Sequence, residues 1–443
     1  MDETKDSGYR SIGRIPATWT VAKLKTHADL FGRIGWQGLT SDEYRDDGAW
    51  LITGTDFTDG GINWDSCVHI SEERWREARQ IQVNEGDLLI TKDGTIGKLA
   101  IVKDAPGHVS LNSGLMRIVP SKHDYDSKYL YYILASNVFT EWFKDVTLGA
   151  STIQHLYQGD FKNFVFPMPP LAEQKQIVTY LNNHIGRMRH AESILESQIS
   201  TLESYKRSAI HEAVTKGLDS NARMKDSGVE WIGKIPNSWS INKLKCCVYL
   251  RARLGWKGLT ADEYVDEGYP MYSAFNFQDN ELDTSFADYI TKERYEESPE
   301  IMIADGDVLL VKDGAGYGKH AYVKDLPCPA TVNGSIGVMT PDGTLLGAYL
   351  NYFLDTSFFE YQKRQLVTGM GVPHLTQHFL RNVLLLVPPV SEQQHIVDYL
   401  DTKCAAIDKT ISIKREQLGT LSRGRQSLIY EYVTGKRRVG EED

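Results

Sequence analysis

One stretch of 20 residues occurs twice in this chain. DSGYRSIGRIPATWTVAKLK at 6–25 returns as DSGVEWIGKIPNSWSINKLK at 226–245, with 11 positions identical at an offset of 220. The same offset aligns RIGWQGLTSDEY (33–44) with RLGWKGLTADEY (253–264), and GDLLITKDG (86–94) with GDVLLVKDG (306–314). Later, PPLAEQKQIVTYL (169–181) matches PPVSEQQHIVDYL (388–400) at 219. Solenoid repeats span about 20 to 50 residues, so a period this long is a duplicated domain. Two fused copies imply a pseudo-twofold molecule, one chain standing in for a symmetric dimer.

Each copy divides again. Its first part mixes short β-type runs with turn signals, such as Asp87–Thr91 followed by Lys92-Asp93-Gly94. Short helices are expected around Tyr129–Leu134 and Tyr349–Leu354, then strands at Phe164-Val165-Phe166 and Leu384–Val387. A Pro-Pro ends each strand, as proline should. Beyond it the period changes to steps of three and four. In copy one the seam runs Val178, Leu181, Ile185, Met188, Glu192, Leu195, Ile199, Leu202, Lys206, Ala209, Ala213. Copy two repeats it from Val397 to Tyr432, with Lys414 and Arg425 as its polar interruptions. Such a seam is either one face of a core helix or a heptad interface. A straight helix over Val178–Ala213 would run roughly 54 Å at 1.5 Å per residue. Two such helices packing on one another, antiparallel, give a dumbbell with a coiled-coil spacer.

Bulk properties narrow the function. No apolar run is long enough to cross a bilayer, and Met1–Asp6 is polar and acidic, unlike a signal peptide. Five cysteines, an odd number without CxxC pairing, read as reduced cytoplasmic thiols. A formal net charge of −10 argues against a protein that grips DNA by bulk electrostatics. Local basic loops, or a partner that neutralises phosphates, remain compatible with it.

The order of globular part, Pro-Pro-x-x-Glu-Gln helix, second globular part and second such helix resembles the specificity (S) subunits of type I restriction-modification enzymes. The resemblance rests on Pro169-Pro170-Leu171-Ala172-Glu173-Gln174 with Ile177, and Pro388-Pro389-Val390-Ser391-Glu392-Gln393 with Ile396. Trp-Ile-Gly-Lys-Ile-Pro (231–236) and Gly-Asp-Val-Leu-Leu-Val-Lys-Asp-Gly (306–314) add to it. It implies an α+β fold. Target recognition domains would occupy 1–168 and 218–387, spacer helices 169–217 and 388–436, and a tail 437–443. Each recognition domain would read half of a bipartite DNA target. The chain itself would be non-catalytic and bind no cofactor. Two methyltransferase (M) subunits would methylate adenine with S-adenosylmethionine, and two restriction (R) subunits would cleave with ATP and Mg.

Three stretches per copy are candidates to touch DNA. The first carries Arg33 and Trp36, matched by Arg253 and Trp256, among glycines. Arginine can pair bidentately with guanine or clamp a phosphate, and glycine lets backbone approach closely. The alternative is a turn whose Trp packs into the core. The second carries Lys92, Thr95 and Lys98; its counterpart carries Lys312 and Lys319, with Tyr317 as a one-residue insertion. It lacks the spacing and the Ser or Thr of a Walker loop, leaving a lysine-bearing DNA loop or a plain hairpin. The third carries Gln154 and His155, matched by Pro373 and His374. Gln154 could pair with adenine; the histidines could equally be structural.

No methyltransferase [N/D]-P-P-[F/Y] motif, HExxH, GxSxG or deaminase H-x-E…C-x-x-C is present. Two other readings stand beside the DNA reader. One is a coiled-coil protein-interaction scaffold, which predicts no methylated bipartite motif. The other is a nucleotide enzyme using the Lys-Asp-Gly loops, which predicts ATP or GTP binding.

Overall fold

Proline has a fixed φ and no N–H to give a strand or a helix interior. Accordingly the strand Val165–Met168 stops at Pro169-Pro170 and the helix Leu171–Lys216 begins at the next residue. Likewise Leu384–Val387 stops at Pro388-Pro389 and the helix Val390–Val433 follows. The structure, a computed structural model, describes residues 3–33, 39–122, 124–148, 154–253, 263–314, 316–365 and 375–440. It is α+β, with two compact units. Unit 1 holds Met1–Leu195 and Glu416–Asp443; unit 2 holds Glu196–Arg415. Each unit therefore takes part of both long helices.

In unit 1 an antiparallel four-stranded sheet runs Ala28–Gly32, Leu115–Pro120, Leu88–Thr91, Leu99–Ile101. A three-stranded sheet places Ala49–Ile52 between Val68–Ile70 and Val109–Leu111. In unit 2 the equivalent strands are Val248–Ala252, Ile336–Pro341, Val308–Val311 and His320–Tyr322. This second sheet gains two short strands, Glu281–Leu282 and Phe277–Gln278. Strands such as Leu88–Thr91 and Val308–Val311 are buried along their whole length, which explains their continuous apolar runs. The expected short helices are Ser127–Leu134 and Gly347–Leu354. A second helix follows each, Asn137–Thr147 and Ser357–Arg364, that periodicity did not suggest.

Every seam position of both long helices is buried or half-buried. In unit 1 the Tyr180 and Tyr432 rings lie 4.4 Å apart, and Arg425 meets Glu192 at 2.8 Å. In unit 2 Arg415 meets Glu203 at 3.0 Å and Lys206 meets Asp408 at 2.7 Å. Partners descend along one helix as they ascend along the other. The polar interruptions are thus answered: Glu192 by Arg425, Lys206 by Asp408, and Lys414 by Gln198 at 2.7 Å. Ile411 occupies the place in copy two that Glu192 holds in copy one, so the Glu192–Arg425 pair is private to unit 1. A half-buried ion pair contributes little net stability, but a slipped register would leave its charges unpaired.

The Glu-Gln of each Pro-Pro motif fastens helix to globular part. Gln174, fully buried, donates to Pro169 O at 2.8 Å and accepts from Asp126 N at 2.9 Å. Gln393 donates to Pro388 O and Thr344 O, both at 2.9 Å, and accepts from Leu346 N at 2.8 Å. Glu173 accepts from the Trp19 indole at 3.1 Å and from Arg438 at 2.9 Å. A buried tyrosine holds the end of the other copy's helix. The Tyr129 hydroxyl reaches Val433 O at 3.0 Å in unit 1, and the Tyr349 hydroxyl reaches Val214 O at 3.2 Å in unit 2. Burial pushes both phenols well above their ordinary pKa, so they stay donors. Each globular part thus grips the start of one long helix and the end of the other.

Candidate nucleic-acid interface

In unit 1, Leu88–Thr91 turns back into Leu99–Ile101 through residues 92–98. The Thr91 hydroxyl closes the turn, donating to Thr95 O at 2.6 Å and accepting from Lys98 N at 2.9 Å. Gly97 has φ +85°, and a Cβ there would sit 3.0 Å from the Phe139 ring. A side chain at this position would therefore be strained and would collide with the helix Asn137–Thr147. Thr95 and Lys98 are exposed, and Lys98 Nζ lies 3.4 Å from Gly54 O of the neighbouring loop.

Lys92, Asp93 and His155 come together beside this turn. Lys92 pairs with Asp93 at 2.9 Å, and His155 Nδ1 lies 2.7 Å from the other Asp93 oxygen. Burial works against the Asp93 carboxylate, but the bonds to His155 and Lys92 outweigh it and hold its pKa below the usual range. Leu156 N donates to Lys92 O at 2.9 Å, which ties the second and third candidate stretches into one surface. Gln154 is exposed at its edge.

Unit 2 builds the turn differently on the same strands. Val311 replaces Thr91, so the closure is backbone alone: Val311 N to Lys319 O at 2.8 Å, Gly318 N to Val311 O at 2.9 Å. Tyr317 lies against the Lys363 ammonium at 5.3 Å from the helix Ser357–Arg364, and Lys319 is exposed. Leu375 N donates to Lys312 O at 3.0 Å, the counterpart of the Leu156 bond.

Two of the candidate residues are buried. Arg33 is only 8% exposed, its Nε donating to Leu111 O at 3.1 Å and its Nη2 to Ser110 Oγ at 3.2 Å. Burial brings its pKa down to about 10, with the Arg74 cation adding to the effect. An arginine so placed orders the strand end. Lys312 is 8% exposed, its stem lying along Gly337, and burial lowers its pKa. The lysines that face solvent are therefore Lys98 and Lys319. Arg253 is half-buried, its aliphatic part against Gly334. Trp36, Trp256, Pro373 and His374 lie outside the described residues.

Residues 18–197 and 257–419 match the profile of the type I restriction modification DNA specificity domain. The chain belongs to that family. The type I restriction enzyme MjaVIII specificity subunit of Methanocaldococcus jannaschii is 26% identical to it over 450 residues, 99% of this chain and 98% of the relative. The putative MjaX specificity subunit of the same organism is 25% identical over 97% of this chain and 96% of its own. A solved chain, from work on complex assembly and conformational transition of the type I R-M system, superposes with a TM-score of 0.71. At 18% identity, covering 96% of this chain and 99% of that one, it shows a shared fold.

For a type I specificity chain the residues that sequence reasoning passed over are those that place the loops. Thr91, Phe139 and Lys363 shape the two turns; Thr91 lies inside the repeated 86–94 stretch without being singled out, and Phe139 and Lys363 belong to no motif. The available signal was the difference between copies: Thr91 against Val311, and Phe143 against Lys363. Among the described residues no group of three or more His, Cys, Asp or Glu is placed to hold a metal ion. No described helix is long and apolar enough to cross a membrane.

Proposed function

We propose that this chain reads a bipartite DNA target, one half-site per unit, and directs partner subunits that carry the chemistry. The observation that carries the reading is the paired construction of the two turns. The same strands, in the same sheet positions, present exposed Lys98 in one unit and exposed Lys319 in the other. The side chains around them differ. Shared scaffold with divergent tips is what two readers of different half-sites require, since phosphate contacts position and base contacts specify.

The long helices serve as an antiparallel coiled-coil ruler in a pseudo-twofold molecule, with 169–217 and 388–436 as spacers between recognition domains 1–168 and 218–387. Binding one half-site makes the second contact intramolecular, which raises avidity without new contacts. Half-site centres about one helical turn apart, roughly 10 bp, would place both readers on one face of the duplex. The chain works in the cytoplasm with two M subunits, which methylate adenine using S-adenosylmethionine, and two R subunits, which cleave using ATP and Mg. Thr95, Lys98, Gln154, His155, Tyr317 and Lys319 are the contact residues on this reading, with Lys92 and Arg253 at its margin.

A net charge of −10 means that the partner must supply much of the phosphate neutralisation. Titrating a target duplex with the chain alone should give weak binding that falls steeply with salt. Adding the M subunits should raise affinity by roughly 1000-fold and make it sequence-specific. Equal affinity with and without the partner would overturn this division of labour.

A further inference from the structure

The two units differ in the loop beside the lysine turn. In unit 2 the short turn Ala274–Asn276 carries Phe275 with 86% of its surface exposed, and Phe286 is 48% exposed. At an offset of 220 the corresponding residues of unit 1 are Thr55 and Ser66, both exposed. A phenylalanine left in water forgoes the burial that stabilises large apolar side chains elsewhere. Nothing about the surrounding fold forces the exposure, because unit 1 builds the same turn with small polar residues.

Phe275 sits on a hydrogen-bonded turn. Asn276, only 2% exposed, closes the turn through a capping box with Ser273: its carbonyl oxygen accepts from Ser273 N at 2.9 Å. Its amide donates to Phe286 O at 2.8 Å, so one buried side chain fixes the backbone beneath both aromatics. In unit 1 the same place is taken by Asp56, which accepts from Thr53 N at 2.7 Å and from Ser66 Oγ at 2.9 Å. The turn also touches the lysine loop: a Cβ at Gly316 would lie 3.4 Å from Ala274 Cβ and 3.8 Å from Lys319 Cδ. Phe275, the next residue after Ala274, thus belongs to a turn packed against the loop that carries exposed Lys319.

We infer that Phe275, braced by Asn276 and flanked by Phe286, makes an apolar base contact in the half-site read by unit 2. Phenylalanine has no donor or acceptor, so it senses a base through apolar surface, a thymine methyl or the face of a partly unstacked step. Thr55 gives unit 1 a hydroxyl at the same place, which hydrogen-bonds instead. The pair therefore makes the two half-sites chemically unequal. This inference rests on the DNA-reading function proposed above.

The test uses the full chain with its M subunits and a pool of duplexes of random sequence, recovered by binding. Wild type should select an interrupted two-part motif. Phe275→Ala should bind that motif roughly 10-fold more weakly and lose base preference at one or two adjacent positions of a single half. That half should be the one that changes when 218–387 is exchanged. Phe275→Ser should do the same, and thermal melting of both variants should match wild type. Thr55→Phe should alter the opposite half only. If wild type selects the two-part motif and Phe275→Ala selects it unchanged with equal affinity, the inference falls while the DNA-reading function stands. If wild type selects no such motif, both fall.

Discussion

Exchanging residues 12–165 for the matching segment of a relative with a different target will change one half of the recognised site and leave the other intact. The exchanged segment carries the first lysine turn, its neighbouring loop and the His155 surface, but neither long helix. What it must bring is the fastening, namely a Trp at the place of Trp19 and a Tyr at the place of Tyr129, since these meet Glu173 and Val433. Both residues recur at the equivalent places of the two copies, Trp19 with Trp239 and Tyr129 with Tyr349. A segment that fastens correctly leaves unit 2 and its loops untouched. Each mismatched base pair costs about 1–3 kcal/mol, so three changed positions shift preference by roughly 150-fold or more. Selection from random duplexes, compared with wild type, reads the effect directly. A change in both halves would contradict the assignment of one half-site to one unit.

Gln393→Leu is expected to cost unit 2 about 3 kcal/mol. Leucine matches the volume of glutamine but supplies no donor or acceptor. Gln393 is fully buried, and its loss would leave Leu346 N, Thr344 O and Pro388 O without the partners they have now. Buried groups stripped of partners cost about 1–3 kcal/mol each, partly recovered by relaxation. For a unit near 220 residues that corresponds to a melting shift of roughly 6–12 °C. Gln394→Leu, on an exposed neighbour whose amide meets Asp398 at 2.8 Å, should stay within about 0.5 kcal/mol. Equal melting for the two variants would mean that the motif glutamine does not clamp the helix start.

Much of this was legible because local chemistry and tertiary structure agree. Pro-Pro ends the strands and opens the helices where the residues said it would, and the seam positions from Val178 to Ala213 and Val397 to Tyr432 are all at least half-buried. What could not be read depends on contacts distant in the chain. Arg33 sits in a glycine-rich stretch and looks like a reader, but Leu111 O and Ser110 Oγ, 78 and 77 residues away, turn it inward. Lys312 and Lys319 are indistinguishable in one dimension, and only the packing of Lys312 along Gly337 separates a buried stem from an exposed one. The polar interruptions Glu192 and Arg425 look like defects in separate seams until the helices are paired. Phe275 belongs to no motif at all; comparing it with Thr55 across the repeat was the one clue.

The central claim is that this chain chooses the sequence on which partner subunits act. Mapping modified adenines across the host genome, with the chain present and with its coding sequence deleted, tests this most directly. The account expects one interrupted two-part motif to be modified in the first case and unmodified in the second, with all other modification unchanged. Persistence of that motif's modification without the chain, or no interrupted motif that depends on it, would contradict the account.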